Sequence, residues 1–377
     1  MAVSIHPPPE RILVRGVNWL GDAVMTTPAL MRLREKFPNS HVTLVTPEKL
    51  RDLYQHHPAI NETVGFEGGE GLGSVARKLR GGKFDLAVVL PNSPRSALEV
   101  WLAGIPQRIG YSRPWRNWFL TQALGTRPGH RRMRKRTSDE IRQLVQGAGE
   151  KTGIQIPKSE TAHQIYEYLH LMAALGANPE PLPPQLHVDK MEALGMDWSL
   201  PPVGERAEFV VGLNPGAEYG AAKRWPVERF AEVANELYRK VSCEFLIFGG
   251  KGDADLAARL LALIPEPVSR GHVVMLAGKT TLRDLMAGLK LCHVLLTNDT
   301  GPMHVAAALG TPVVVPYGST SPELTGPGLP GDQRHQLLKS EVPCSPCFLR
   351  ECPIDFRCMK GITVERVTAA ALDVFRH

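Results

Sequence analysis

No uninterrupted apolar run in this 377-residue chain approaches the roughly 18–20 residues that a bilayer span requires. No membrane-spanning helix is therefore expected. A leader is missing too: Met1–Glu10 is Pro-rich and lacks the basic-then-apolar pattern of a signal peptide, so a cytosolic protein is expected. Charge is not in excess and apolar residues are not scarce: 22% charged and 43% hydrophobic exclude a disordered chain. Two nucleotide signatures are also absent. Gly16-Val-Asn-Trp-Leu-Gly21 has the glycine spacing of a P-loop, but Asp22-Ala23 stands where Lys-Ser/Thr is required. A carboxylate there would repel a phosphate. The same turn carries no Gly-x-Gly-x-x-Gly fingerprint, so a P-loop NTPase and a hydride-transfer enzyme both lose ground. No nucleic-acid-binding motif is found, and no nucleic-acid partner is expected.

What is present is length: 377 residues are many for one compact domain and ample for two. The net charge of +6 is unevenly shared, residues 1–160 carrying +10 and residues 161–377 carrying −4. That split points to one half meeting an anionic partner, or to a merely solvated basic surface. Short apolar runs alternate with amphipathic segments, the pattern of a parallel sheet covered by helices. Strands are expected at Arg11–Arg15, His41–Thr46 and Phe84–Leu90, with a helix from Asp22 to about Lys36. The pattern restarts at Phe209, with strands at Glu244–Phe248, His293–Thr297 and Thr311–Pro316 and helices from Pro226, Asp253 and Gly301. Between the halves lies Pro181-Leu-Pro-Pro184 and a polar stretch to Glu208, read as the linker. The expected architecture is two α/β domains, 1–185 and 186–377, facing each other across a cleft.

Three loops carry chemistry. Asp22 either complements a helix N-terminus or acts as a general base; a helix N-terminus favours the carboxylate, which then takes a proton only late. Asn214-Pro-Gly216-Ala-Glu218 runs into Lys223-Arg224-Trp225-Pro226, placing two cations before a helix start at the carboxyl end of a strand. There a diphosphate could meet both side chains and free amides; the plainer alternative is a surface basic pair. Thr297-Asn298-Asp299-Thr300-Gly301-Pro302-Met303-His304 ends a buried strand in a polar turn. Its glycine admits close backbone approach, and the Thr300 and Gly301 amides could hold phosphate. Asp299 is unfavourable against phosphate and is expected to orient the loop or a ligand hydroxyl.

The NWLGD loop at 18–22, the PGAEYGAAKRWP run at 215–226 and the NDTGPMHVAAALGTP run at 298–312 together resemble glycosyltransferase family 9, from about residue 11 to the C-terminal helix. The resemblance implies a GT-B fold of two facing Rossmann-like domains, the N-terminal one binding acceptor and the C-terminal one binding an ADP-sugar. It implies inverting, metal-independent transfer of L-glycero-D-manno-heptose from ADP-heptose to the first heptose of the lipopolysaccharide inner core, with no cofactor required. A transferase acting at the first-heptose step or on another phosphorylated glycan, and a non-catalytic nucleotide-sugar binder, are the alternatives. By resemblance Asp22 is the base and Lys223 the catalytic donor-phosphate lysine. Asn214, Gly216, Arg224, Asp299, Thr300, Gly301 and His304 belong to the donor site, and Asp253 reads as a ribose contact. Asn18 and Trp19 read as acceptor contacts.

The basic half then has a partner. Arg131, Arg132 and Arg134 follow an aromatic stretch, Tyr111 to Phe119, that contains Arg113 and Arg116. Arginine clusters suit the phosphate and carboxylate groups of an inner-core acceptor and an anionic surface. Peripheral contact with the inner membrane from the cytoplasmic side is expected. His163 and Tyr166 are expected on one face of a helix, packing between domains or taking part in the site. Finally, Cys344-x2-Cys347-x4-Cys352-x5-Cys358 reads either as a structural zinc or iron site or as reduced packing thiols.

Overall fold

Valine-, leucine- and isoleucine-rich runs become strands buried on both faces only where helices cover a parallel sheet. In the computed structural model, which describes residues 7–147, 160–189, 192 and 207–376, this happens twice. The first sheet comprises β1 (Arg11–Arg15), β2 (His41–Pro47), β3 (Glu62–Phe66), β4 (Leu86–Val89), β5 (Gln107–Tyr111) and β6 (Gln122–Leu124). The second comprises β7 (Phe209–Asn214), β8 (Cys243–Ile247), β9 (Val273–Met275), β10 (Val294–Thr297), β11 (Val313–Tyr317) and β12 (Gln336–Lys339). Their orders are β3-β2-β1-β4-β5-β6 and β12-β11-β10-β7-β8-β9. Every pairing is parallel.

Both orders are the doubly wound arrangement, so each sheet has one place where the strand order reverses. In the first it lies between β1 and β4, where Arg15 pairs with Val89. In the second it lies between β7 and β10, where Asn214 pairs with Thr297. Loops leaving the carboxyl ends of such neighbours diverge and open a crevice. In the first core Leu13, Val45 and Val89 of the sheet pack with Val100 of the helix Pro94–Leu102. In the second, Leu213, Phe245 and Leu296 of the sheet pack with Phe230 of the helix Val227–Lys240.

The chain forms two compact units, residues 1–130 with 161–187 and residues 131–160 with 188–377. The basic segment after His130 thus packs with the second sheet rather than the first. Arg136 fixes it there: its backbone N–H donates to the Cys347 carbonyl at 3.0 Å and its guanidinium to the Pro343 carbonyl at 2.8 Å. Of the linker, residues 190, 191 and 193–206 lie outside the described residues.

One helix differs from expectation. The segment after β1 forms two, Leu20–Met25 and Thr27–Lys36, with Asp22 in the first turn rather than at the start. Pro28 has no N–H to continue the first helix and suits the first turn of the second. The Thr26 and Thr27 hydroxyls donate back to the Ala23 and Val24 carbonyls at the break.

Candidate active site

At the first reversal point, β1 ends in Arg15 and the chain turns through Gly16 into the helix carrying Asp22. Arg15 is buried and ion-paired with the equally buried Glu99 at 2.7 Å, while its Nη1 donates to the Gly16 carbonyl at 2.6 Å. Arg95 closes the cluster, 3.0 Å from the other Glu99 oxygen. A buried carboxylate held by two guanidiniums gives this turn a fixed base. Beyond it Asn18 and Trp19 are exposed and Asp22 is half-buried. Gln164, just before the helix Ile165–Ala174, donates through Nε2 to Asp22 Oδ1 at 3.1 Å and to the Tyr168 hydroxyl at 2.9 Å. Burial first, and then the Asp22 charge, pushes the Tyr168 phenol well above its ordinary range. Burial does the same to Tyr54, whose hydroxyl lies near the same carboxylate. Asp22 therefore faces neutral hydroxyls and an amide.

Gln164 was not singled out from the sequence, although its neighbours His163 and Tyr166 were. Because the helix begins at Ile165, His163 precedes it rather than sharing its face with Tyr166. His163 is buried, its Nδ1 accepting the Ile165 N–H at 3.3 Å. Tyr166 lies beside Arg127, whose guanidinium is 5.7 Å from its ring centre.

At the second reversal point two loops are stapled together by Asn298. Its Oδ1 accepts the Trp225 N–H at 2.9 Å, and its Nδ2 donates to the Pro215 and Gly216 carbonyls at 2.8 and 3.3 Å. Asn214, expected to meet a ligand, is buried and donates to Thr297 Oγ1 at 2.9 Å, tying β7 to β10. Lys223 Nζ lies 2.8 Å from Asp299 Oδ2, and the same oxygen accepts the Thr320 hydroxyl at 2.5 Å. Asp299 thus ties Lys223 and Thr320 to this turn. Neither Thr320 nor Asn298 was singled out from the sequence. Thr320 follows β11, and nothing in its local sequence announces a contact with position 299.

Thr300 is the N-cap of the helix Gly301–Ala308 and is fully extended; its hydroxyl makes no capping bond. Pro302 has no N–H, so amides at Thr300, Gly301 and Met303 head this helix. Met303 donates to the Thr300 carbonyl. His304 is buried in the same helix. Gly216 lies against the Asp253 carboxyl group: a Cβ there would come within 2.4 Å of its carboxyl carbon, so that side chain would have to move. Asp253 accepts the Gly250 N–H at 3.2 Å, and Arg224 approaches it only loosely, at 3.9 Å.

Residues 72–356, more than half of the 377, match the family "Glycosyltransferase family 9 (heptosyltransferase)". The chain belongs to glycosyltransferase family 9. It is 31% identical over 330 residues to lipopolysaccharide heptosyltransferase 2 of Escherichia coli, covering 84% of this chain and 85% of that protein. It is 30% identical over 321 residues to lipooligosaccharide heptosyltransferase 2 of Haemophilus influenzae, with the same coverage. The structure of E. coli ADP-heptose LPS heptosyltransferase II superposes with a TM-score of 0.76 at 27% identity, covering 97% of this chain and 98% of that one. A family 9 glycosyl transferase from Veillonella parvula superposes with a TM-score of 0.74 at 25% identity, covering 97% of each chain. The protein is a glycosyltransferase with an α/β fold of two Rossmann-like sheets.

The arginines of this family 9 chain divide sharply. Arg131, Arg132 and Arg134 are exposed, Arg134 pairing with Glu140 at 2.8 Å, and Arg113 is half-buried. Arg116 is different: it is 0% exposed and donates to the Pro91 carbonyl at 2.8 Å and Asn92 Oδ1 at 3.3 Å, beneath the loop after β4. It is a strut for that loop rather than a surface cation.

Of the two readings of the cysteine cluster, the structural metal site is not supported. All four are free thiols, and among the described residues no three His, Cys, Asp or Glu side chains are placed to hold an ion. Cys358 belongs to the second core, where burial pushes its thiol up to about 12, and Cys352 Sγ accepts the Phe356 N–H at 3.3 Å. Cys344 is buried, and burial raises both it and Cys347. Among the described residues, no helix is long and apolar enough to cross a membrane.

Proposed function

We propose that this family 9 enzyme transfers L-glycero-D-manno-heptose from ADP-heptose to the first heptose of the lipopolysaccharide inner core, with inversion and without a metal. The observation that carries the proposal is the coincidence of motif and topology. The carboxylate motif occupies the reversal point of one sheet, and the Lys223 and Asp299–Gly301 motifs occupy that of the other. Similarity along 84% of the chain to proteins named heptosyltransferase 2 supports the second-heptose step. A pure nucleotide-sugar binder has no use for a carboxylate at the first crevice.

Asp22 removes the proton of the acceptor hydroxyl as that oxygen bonds to the anomeric carbon. The bond from this carbon to the diphosphate oxygen breaks, and its electron pair leaves with ADP through an oxocarbenium-like transition state. Gln164 fixes the Asp22 carboxylate for this transfer. Lys223, with the Thr300 and Gly301 amides, takes the charge that grows on the diphosphate. Asp299 and Thr320 aim Lys223, while Asp253 and Arg224 border the nucleotide beside Gly216.

The unit of 1–130 with 161–187 takes the acceptor, with Asn18 and Trp19 on the reacting loop. The unit of 131–160 with 188–377 takes the donor. Arg113, Arg131, Arg132 and Arg134 meet phosphate and carboxylate groups of the acceptor. Since that acceptor is lipid-anchored, the enzyme works in the cytoplasm, peripheral to the inner membrane.

Asp22→Asn tests the catalytic role while keeping size and shape. Transfer is expected to fall by about 10²–10⁴-fold with ADP affinity unchanged, in an initial-rate assay beside calorimetric titration. Transfer at the wild-type rate would remove Asp22 from the mechanism.

A further inference from the structure

Apolar aromatic surface is costly to leave in water, and tryptophan is left there least often without a partner. Two indoles of the first unit stand almost free: Trp115 is 74% and Trp118 76% exposed. They meet edge to face, with ring centres 6.0 Å apart. One residue on, Phe119 packs at 5.7 Å against Trp101, itself 46% exposed. All four rings lie on the crossover between β5 and β6 or on the helix Pro94–Leu102 beside it. Trp115 moreover holds a left-handed backbone, φ +62°, a conformation that costs a bulky residue energy and persists where the surroundings impose it. The strut Arg116 is the next residue, pinned to Pro91 and Asn92. A wholly buried side chain thus anchors the turn that displays the two indoles.

The charge around these rings has one sign. Arg80 donates to the Leu102 carbonyl at 2.9 Å, next to Trp101, and Arg108 donates to the Phe119 carbonyl at 2.7 Å. Arg113 lies over the Tyr111 ring, at 5.6 Å. From Arg77 to Phe119 the chain has eight Lys and Arg against two carboxylates, and both of those are occupied. Asp85 accepts the Glu10 and Arg11 amides, and Glu99 is buried between Arg15 and Arg95.

We infer that this face, Trp101, Trp115, Trp118 and Phe119 with Arg80 and Arg108, docks on an anionic bilayer surface. The indoles enter the headgroup boundary, where an apolar ring with one N–H donor is best accommodated, and the guanidiniums meet lipid phosphates. The inference takes up the peripheral-membrane part of the proposed function and gives it a surface. Vesicle binding needs neither donor nor acceptor, so its failure leaves the transfer reaction standing.

Cosedimentation of the full chain with phosphatidylcholine vesicles, with and without phosphatidylglycerol, tests it. Wild type is expected to partition onto the anionic vesicles, with a blue shift of tryptophan emission that added salt weakens. The Trp115→Ala/Trp118→Ala variant, whose changes are both on the surface, is expected to unfold at the wild-type midpoint. Its partitioning should be weaker by about tenfold or more. Equal partitioning of variant and wild type, or no preference for anionic vesicles, would overturn the inference. So would unchanged partitioning with a raised KM for a soluble truncated acceptor, which would make the indoles a stacking platform for sugar.

Discussion

Lys223 sits beside a permanent carboxylate and, in the proposed reaction, meets a diphosphate that comes and goes. The Asp299–Lys223 pair is nearly closed to solvent, so a second anion can share the lysine without a metal to balance it. Lys223→Ala is expected to lower kcat/KM for the donor by about 10²–10³-fold in an initial-rate assay. Thr320→Val keeps the shape but removes the hydroxyl on Asp299; it should act on the same parameter, more weakly, and leave acceptor KM alone. Titration offers a second residue-scale test. Burial, and then the charge of His187, pulls His57 down to about 4, and burial does the same to His335. A histidine depressed from 6.5 binds fewer protons folded than unfolded. Its contribution is therefore intact above pH 6.5 and lost as pH falls toward 4. The full loss is on the order of 3 kcal/mol per histidine. Thermal unfolding across this window should show a shallower decline for His57→Gln than for wild type.

At the scale of elements, the Asn298 staple holds the turn after β10 against the loop after β7. Asn298→Ala leaves the Trp225 amide and two carbonyls without their buried partner, at a cost of about 2–4 kcal/mol. The check is a shift of the denaturation midpoint, with donor affinity falling alongside. These two turns were legible in the sequence because a buried parallel strand reads as an unbroken apolar run and its end as an abrupt polar turn. The strands β1, β2, β4, β7, β8, β10 and β11 were visible for that reason. Five others were not: β3 (ETVGF) and β9 (VVM) are short edge strands, and β5 (QRIGY), β6 (QAL) and β12 (QLLK) lie toward sheet edges, are partly exposed and carry polar residues that match loops equally well. Side-chain bonds across elements were out of reach for another reason. Gln164 finds Asp22 at a separation of 142 residues and Thr320 finds Asp299 at 21, and no local pattern encodes either meeting.

For the whole molecule, repetition of one strand order in two sheets matters most, because it yields two reversal points and so two places to hold a reactant. The sequence revealed the repeat and drew one boundary at residue 185, whereas the described residues 131–147 group with the second unit. A run of arginines does not say which surface it lies on, and the Arg136 bonds to Pro343 and the Cys347 backbone decide it. Of the two readings of the cysteine spacing, the described side chains support packing thiols, since no three possible ligands among them are placed to hold an ion. Exhaustive dialysis against EDTA is accordingly expected to leave the thermal unfolding midpoint unchanged; a fall of several degrees would restore a structural metal.

The most direct measurement is heptose transfer from ADP-heptose, with EDTA present, to two truncated lipopolysaccharide acceptors. One ends in Kdo and the other in a single heptose. Product on the heptose-terminated acceptor alone is the expected result. Product on the Kdo-terminated acceptor, or on neither while ADP-heptose still binds, would contradict the proposed reaction.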